Sequence, residues 1–175
     1  MPKILKKKSI FKTKLFNIKL ADIEFEDKIL EYEIISGNGN GAILVVPIID
    51  SEIIFIKEYA AAVDDYMITF PKGKIDDDEN MYEAANRELQ EEIGYKANDI
   101  KFIKKIYLAP GYIDHITYIM FAEGLQPSTL SGDEPETLEQ IRVNKNKLQK
   151  FLDESEIIDS RVYAALNYIQ HNDRT

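Results

Sequence analysis

The first seventy residues of the chain alternate or cluster apolar positions in the way that strands do. Apolar side chains recur at every second position in residues 14–25 and 29–35, the period of a strand with one buried face. Residues 42–50 are continuously apolar, which is typical of a strand covered on both faces, and residues 52–60 predict another strand after a turn at Asp50 and Ser51. The glycine and asparagine content of residues 36–41 predicts a flexible loop, and a short strand is predicted at residues 66–70. Five strands are therefore expected before any helix.

A helical period replaces this alternation between residues 81 and 93. At about 100° per residue, Met81, Ala84, Ala85 and Leu89 gather on one face, together with Tyr82 and Ile93. The acidic residues 76–79 favour a helix start, and Gly94 favours a helix end. The sequence thus predicts one helix in the middle of the chain.

The second half predicts two more strands and two closing helices. Strands are expected at residues 100–109 and 116–125, on either side of a turn at Pro110 and Gly111, followed by a polar loop at 126–137. Helices are expected at residues 144–155 and 159–171, the second capped by Ser160. This order of elements predicts an α+β domain, with a sheet and helices in layers.

Composition narrows the possible functions. The net charge of −9 argues against broad binding to nucleic acid or to anionic membranes, because phosphates would be repelled. There is no cysteine, and only two histidines, so thiolate or histidine-based metal sites are not expected. No apolar run is long enough to span a membrane. The basic start of the chain is predicted to be a solvated arm or an edge strand. It lacks the features of a secretory signal, so a cytoplasmic protein is predicted.

Two acids interrupt the apolar face of the central helix. Glu88 and Glu92 lie four residues apart and point inward, with Glu91 at the edge of the same face. Buried carboxylates are costly unless they are paired or bind a metal, and ligand sets made only of oxygen select Mg²⁺ or Mn²⁺. An ordinary amphipathic helix, whose acids pair with lysine or arginine, is the alternative.

The same segment resembles the Nudix box. The chain has Gly73, Glu79, the pair Arg87–Glu88 with Leu89, the pair Glu91–Glu92, and then Gly94 at the required spacings. Tyr95 stands where an aliphatic residue is usual. The segments FPKGKID, LAPGY and GDEPE are similar to the branch of Nudix enzymes that hydrolyses ADP compounds, close to the ADP-ribose pyrophosphatases.

This resemblance implies a Nudix fold, in which a mixed β-sheet is sandwiched between α-helices (α/β/α). It also implies a division into an N-terminal extension of antiparallel strands at residues 1–41 and a Nudix hydrolase domain at residues 42–175. The extension resembles the dimer-forming segment of this group, so a homodimer is expected.

The resemblance further implies roles for individual residues. Glu88, Glu91 and Glu92, with the backbone carbonyl of Lys72, would bind Mg²⁺ or Mn²⁺. Arg87 would pair with a box glutamate, and Glu79 would support the loop. Gly73 and Gly94 would allow tight turns.

The general base and the substrate contacts are less defined by the motif. Glu134 and Glu136 are candidates for the base, with Glu139 behind them and Glu91 as an alternative. Each of these acids is otherwise an ordinary solvated side chain. Four residues are candidates for substrate binding by stacking or by phosphate contact: Lys57, Tyr59, Tyr66 and Tyr112. Each of them is also common in strands or on surfaces.

The expected activity is metal-dependent hydrolysis of the diphosphate in ADP-containing small molecules such as ADP-ribose, NADH and diadenosine polyphosphates. A Nudix enzyme specific for nucleotide sugars or for RNA 5′ ends is an alternative, although the net charge opposes RNA. A non-catalytic Nudix domain that senses a nucleotide is another, although such domains usually lack box glutamates and none is missing here.

Overall fold

The computed structural model describes residues 1–37 and 39–172, with the side chains of residues 170–172 excepted. One position of the loop predicted at residues 36–41 therefore lies outside the described residues. The described elements, in chain order, are β1 (Lys3–Lys12), β2 (Phe16–Phe25), β3 (Lys28–Gly37), β4 (Ala42–Ile49), β5 (Glu52–Ala60), β6 (Asp65–Thr69), β7 (Lys72–Lys74), α1 (Met81–Glu92), β8 (Tyr95–Tyr107), β9 (Ile116–Pro127), β10 (Glu139–Asn144), α2 (Leu148–Glu154) and α3 (Ser160–Asn172). A short 3₁₀ turn, Lys145–Lys147, precedes α2.

A seven-stranded mixed sheet forms the centre of the molecule. Its main path runs β10-β5-β4-β9-β8, with β6 paired to β5 and β7 paired to β4. The pair β4 and β9 is parallel, and the remaining pairs of this sheet are antiparallel. Because β7 pairs with β4, the segment that leads into α1 begins beside this central strand of the sheet.

Alternation along β4 and β5 divides the core into two layers. Ile43, Val45, Ile54 and Ile56 pack with the buried face of α1. Their neighbours along the two strands pack with α2 and α3 on the opposite face of the sheet: Leu44, Val46, Ile53 and Phe55. Residues 42–48 of β4 and 53–56 of β5 are buried on both faces of the sheet, which explains the apolar runs at these positions. The predicted α+β fold, a mixed sheet between helices, is confirmed.

A second sheet, antiparallel and three-stranded, is formed by β1, β2 and β3. Backbone bonds join it to the body of the protein: Ile35 N–H donates to Tyr112 O (2.7 Å), and Asp114 N–H donates to Ile35 O (3.1 Å). The Ser36 hydroxyl also donates to Asp114 Oδ2 (2.6 Å). All ten residues of β1 are exposed, and β1 is an edge strand.

Several sequence-based boundaries were wrong. Two strands, β7 and β10, were missed, and β8 begins at Tyr95, five residues before the predicted position. Asp159, and not Ser160, caps α3, because Asp159 Oδ1 accepts a hydrogen bond from Arg161 N–H (2.8 Å). Among the described residues, no helix is long and apolar enough to cross a membrane.

Candidate active site

Helix α1 begins in a capping box that fixes its rotation. The Asn80 side chain accepts from Tyr82 N–H and Glu83 N–H, and Glu83 Oε2 accepts from Asn80 N–H. The helix therefore begins at Met81, where the predicted helical period begins, and the acidic residues 76–79 precede it. With this rotation, Glu88 and Glu92 are 8% and 7% exposed. The predicted inward orientation of both carboxylates is confirmed.

Arg87 holds the acidic loop and the helix together. Its Nε donates to Glu79 Oε2 (3.0 Å), and Nη2 donates to Glu79 Oε1 (2.6 Å) and to Lys74 O (2.9 Å). Nη1 donates to Glu88 Oε1 (2.7 Å) and to Glu91 Oε2 (2.9 Å). These five contacts use all five N–H donors of the guanidinium. Arg87 thus pairs with box glutamates, as predicted.

Glu92 carries an unpartnered oxygen inside the protein. Its Oε2 accepts from the Lys72 backbone N–H (3.1 Å), whereas the buried Oε1 has no hydrogen-bond partner among the described residues. Burial raises the pKa of Glu92 to about 9, an effect that the nearby Lys72 charge opposes. Burial likewise raises the pKa of Glu88 to about 7, against the effect of Arg87. For both groups, the cost of burying the ionised form outweighs the effect of the neighbouring positive charge, so a further positive charge would stabilise that form.

Gly73 makes room for the Glu88 carboxylate. A Cβ atom at this position would lie 1.8 Å from Glu88 Oε1 and 2.5 Å from Oε2. Contacts under 3.0 Å are not tolerated, so any other residue would displace the carboxylate. The first glycine of the box is needed here for the close approach of the loop to the helix.

The donor set fits a hard divalent cation, although the ligands are not preassembled. Nowhere in residues 1–37 and 39–172 do three acids or histidines converge closely enough to hold an ion. Arg87 occupies one oxygen each of Glu88 and Glu91. The unpartnered Glu92 oxygen and the raised pKa values are what a carboxylate site for Mg²⁺ or Mn²⁺ would show without its ion.

An ion pair that the sequence did not reveal borders these acids. Glu58 of β5 and Lys72 of β7 form a half-buried pair through Oε2 and Nζ. Residues 54 and 56 of β5 face α1, so alternation brings Glu58 to the same face. Lys57 lies on the opposite face, in a groove with Ile68 and Ile141, which turns it away from the acids. The alternation of side chains along β5 was the only sequence signal that could have shown that Glu58, and not Lys57, faces the acids.

The loop between β9 and β10 approaches α1 from the other side. Ser128 Oγ donates to Gln90 Oε1 (2.8 Å), and Leu130 N–H donates to Gln90 O (3.2 Å). Gly132 lies against Glu91, since a Cβ on this glycine would be 3.2 Å from Glu91 Cβ. The loop is therefore anchored on α1 just before the acidic residues of the loop itself.

Those acids occupy different positions. Glu136 Oε2 accepts from the Tyr66 hydroxyl (3.1 Å). Partial burial raises the pKa of Glu134, as do the charges of Glu58 and Asp133, whereas Lys72 lowers it. Glu134 thus lies within electrostatic range of the Glu58–Lys72 pair. Asp133, which the sequence analysis missed, also raises the pKa of Glu88, after the larger effect of burial.

Two of the predicted substrate tyrosines share a cleft with these residues. Tyr59 and Tyr66 form an edge-to-face pair with ring centroids 5.6 Å apart. Their cleft, of about 370 Å³, is completed by Glu58, Glu134, Pro135, Glu136 and Leu138. Lys57 lies over the Tyr66 ring at 5.7 Å. Tyr112 lines a separate cavity of about 410 Å³ with residues of β2 and β3, so it is not brought to the acids.

Comparison with known proteins gives relatives along nearly the whole chain. The chain is 39% identical to the ADP compounds hydrolase NudE of Escherichia coli over 166 residues, which are 94% of this chain and 89% of the relative. It is 30% identical to the ADP-ribose pyrophosphatase of Bacillus subtilis, over 96% of this chain and 95% of the relative. A crystal structure of an ADP compounds hydrolase matches with a TM-score of 0.88 and 37% identity, over 97% of this chain and 92% of that chain.

The family comparison covers the segment that contains the acids, the tyrosine cleft and the loop. The model of the NUDIX domain matches residues 40–166. This range includes every box residue, and the box residues form the helix, the buried carboxylates and the arginine contacts described above. The chain belongs to the Nudix family.

Proposed function

We propose that this Nudix protein hydrolyses the diphosphate linkage of ADP-containing compounds with the help of bound Mg²⁺ or Mn²⁺. The supporting observation is the buried Glu92, which has an unpartnered oxygen and lies within electrostatic range of the buried Glu88 and of Glu58, a residue of the tyrosine cleft. The names of the relatives, an ADP compounds hydrolase and an ADP-ribose pyrophosphatase, support the substrate class. With ADP-ribose, the products would be AMP and ribose 5-phosphate.

Glu88, Glu91 and Glu92, with the carbonyl of Lys72, would hold the ion or ions. A divalent cation supplies charge neutralisation at the phosphates and a lowered pKa for bound water. Arg87 bonds to one oxygen each of Glu88 and Glu91, which leaves the second oxygens of both acids and Glu92 Oε1 to bind it. Arg87 would hold Glu88 and Glu91 in place. Its five donors are already used, so its role is positioning.

Glu134 is the best candidate for the general base. Glu136 is engaged by the Tyr66 hydroxyl, and Glu91 by Arg87, whereas Glu134 has no hydrogen-bond partner among the described residues. Its pKa is raised by partial burial, in the direction that suits a base. In the proposed step, Glu134 removes a proton from water as the water oxygen attacks phosphorus, and the bridging P–O bond breaks towards the leaving phosphate.

Tyr59 and Tyr66 would form the wall on which adenine stacks. Their edge-to-face pair presents an aromatic surface at the mouth of the cleft, and 44% and 43% of their surface is exposed. Base stacking on an exposed aromatic contributes about 1–3 kcal/mol. Lys57 would act only by holding the Tyr66 ring, against whose face its ammonium lies.

Hydrolysis of a substrate panel, followed as the phosphate that added alkaline phosphatase frees from the monoester products, tests the proposed activity. ADP-ribose, NADH, diadenosine triphosphate, GDP-mannose and capped RNA are compared, each with and without Mg²⁺. We expect ADP compounds to be cleaved fastest and every activity to need the ion. Glu92→Gln keeps the shape of the side chain, and its kcat should fall by more than about 100-fold while its fold is kept. Undiminished turnover of this variant, or in excess EDTA, would contradict the assignment.

We also propose that two chains associate through the N-terminal sheet. The strands β1 and β3 expose large apolar side chains, among them Phe11 (60%) and Ile29 (61%), which an unpaired surface rarely presents together. The first 14 residues carry six lysines and no acid, whereas the rest of the chain is strongly acidic, so two copies are complementary in charge. Light scattering of the wild type should give twice the mass of one chain. The Phe11→Glu variant should instead have the mass of a single chain. A single-chain mass for the wild type would refute the dimer.

A cytoplasmic location stays a prediction.

A further inference from the structure

The diphosphate of the proposed substrate is anionic, and the acids that surround it are anionic too. Only three cations occur between residues 72 and 87: Lys72, Lys74 and Arg87. Arg87 has all five donors bonded within the protein. The Lys74 side chain turns away towards Gly39 and lines a different cavity, with His115. Lys72 is the remaining cation of this segment.

The Lys72 ammonium faces the acids with donors to spare. An ammonium has three N–H donors, and within the described part of the chain Glu58 accepts one of them. The side chains of the pair are 18% and 23% exposed, so the charges are partly shielded from water. Lys72 also acts electrostatically on both Glu92 and Glu134, which places its charge between helix α1 and the loop that follows β9.

We propose that the Lys72 side chain contacts the substrate diphosphate, and that Glu58 is the positioning residue that holds the ammonium for this contact. The inference rests on the proposed function, because it needs a diphosphate in the cleft. It assigns Lys72 a role beyond that of its carbonyl, which was expected only to bind metal. It also assigns a role to Glu58, which lies outside the box.

Glu58 has the geometry of a positioning group. It lies on the face of β5 that packs against α1, and it lines the tyrosine cleft together with Glu134. A lysine has a long flexible stem, and an ion pair with a residue on a central strand restricts its end. The two unused donors of Lys72 are thereby directed to one place before the ligand arrives, which lowers the entropy cost of binding.

Variants separate the side chain of Lys72 from its backbone. Lys72→Met removes the ammonium but keeps the N–H that Glu92 accepts. Lys72→Arg keeps a positive charge at this position. Glu58→Gln removes only the charge of the positioning residue. The exposed Lys101 of β8 provides a matched control, Lys101→Met, with the same change in net charge.

The measurements are calorimetric binding of ADP and of adenosine, Mn²⁺ affinity, and kcat and KM for ADP-ribose. We expect Lys72→Met to weaken ADP binding and raise KM by at least about tenfold, the effect of one charge-assisted hydrogen bond. Adenosine binding should be unchanged, and Mn²⁺ affinity equal or higher, because a repelling charge is gone. Lys72→Arg should recover part of the loss, and Glu58→Gln should raise KM more than it lowers kcat.

Two failures are distinguishable. Wild-type protein that does not cleave ADP-ribose with Mg²⁺ would overturn the proposed function. Active wild type, with unchanged ADP affinity and KM in Lys72→Met, would overturn the role of Lys72 alone. A loss of Mn²⁺ affinity without loss of ADP affinity would also overturn it, since the side chain would then serve the metal site. If Lys72→Met does not fold, Lys72→Gln provides the same comparison.

Discussion

At the scale of single residues, the site depends on close contacts of two kinds. One is made by a residue without a side chain, and the other by a residue whose hydrogen-bond donors are all used. Gly73 has no side chain because the Glu88 carboxylate fills the space beside it. Arg87 cannot bind a ligand without giving up a contact, because each of its donors is used. Such positions act by placing other groups, so their substitution is expected to affect chemistry more than stability.

Gly73→Ala is the direct test of this view. The new methyl group would displace the Glu88 carboxylate, because an atom there lies 1.8 Å from Oε1. We expect kcat/KM and Mn²⁺ affinity to fall by about 10- to 100-fold, the usual effect of disturbing groups around a metal ligand. Gly111→Ala is the matched control, because nothing lies within 4 Å of a Cβ at that position. Equal activity of the two variants would contradict the account of Gly73.

At the scale of elements, the loop between β9 and β10 is fixed at both ends. Gln90 and Gly94 of the α1 region bind its first residues, through Leu130 and Ser128. Tyr66 binds its far end through Glu136. The span that contains Glu134 lies between these anchors. Its position therefore depends on α1 and β6 together, and loss of either anchor should move the proposed base.

Tyr66→Phe removes the second anchor and keeps the aromatic ring. We expect kcat for ADP-ribose to fall about 2- to 10-fold, the effect of one hydrogen bond of about 0.5–1.5 kcal/mol, with a smaller change in KM. The comparison is Tyr59→Phe, which removes a hydroxyl bound to Asp64 (2.5 Å) and not to the loop. Steady-state kinetics of the two variants decide the point. A larger effect on kcat at Tyr59 than at Tyr66 would show that the anchor is not needed.

The parts of the site that sequence could predict are the local ones. The spacing of Glu88 and Glu92 on one helix fixes their shared face, so their burial followed from periodicity. Glu58 reaches the acids only because β5 and β7 both pair with β4, a relation that no local pattern encodes. The short strand β10 has a mixed polar sequence and gains its place from pairing with β5. Tyr112 was assigned to the site because tertiary placement by the N-terminal sheet could not be foreseen.

At the scale of the whole molecule, burial of carboxylates links stability to pH and to metal. An exposed glutamate has a pKa near 4.5, whereas the folded, metal-free protein holds Glu92 at about 9 and Glu88 at about 7, mainly through burial. Between these values the folded state binds more protons than the unfolded state. The free energy of unfolding therefore decreases as pH rises from about 5 to 9.

We predict that the Tm of the protein in EDTA falls from pH 5.5 to pH 8.5, by at least about 3 °C for a chain of this size. Glu92→Gln cannot titrate, so its Tm should change less over the same range and should exceed that of the wild type at pH 8.5. Saturating Mg²⁺ should stabilise the wild type more at pH 8.5 than at pH 5.5, because the ligands must lose their protons to bind. Thermal unfolding of both proteins with and without Mg²⁺ measures each of these effects. Parallel pH profiles for wild type and variant would mean that Glu92 is not the group whose burial opposes folding, and the case for a cation at its free oxygen would fail with it.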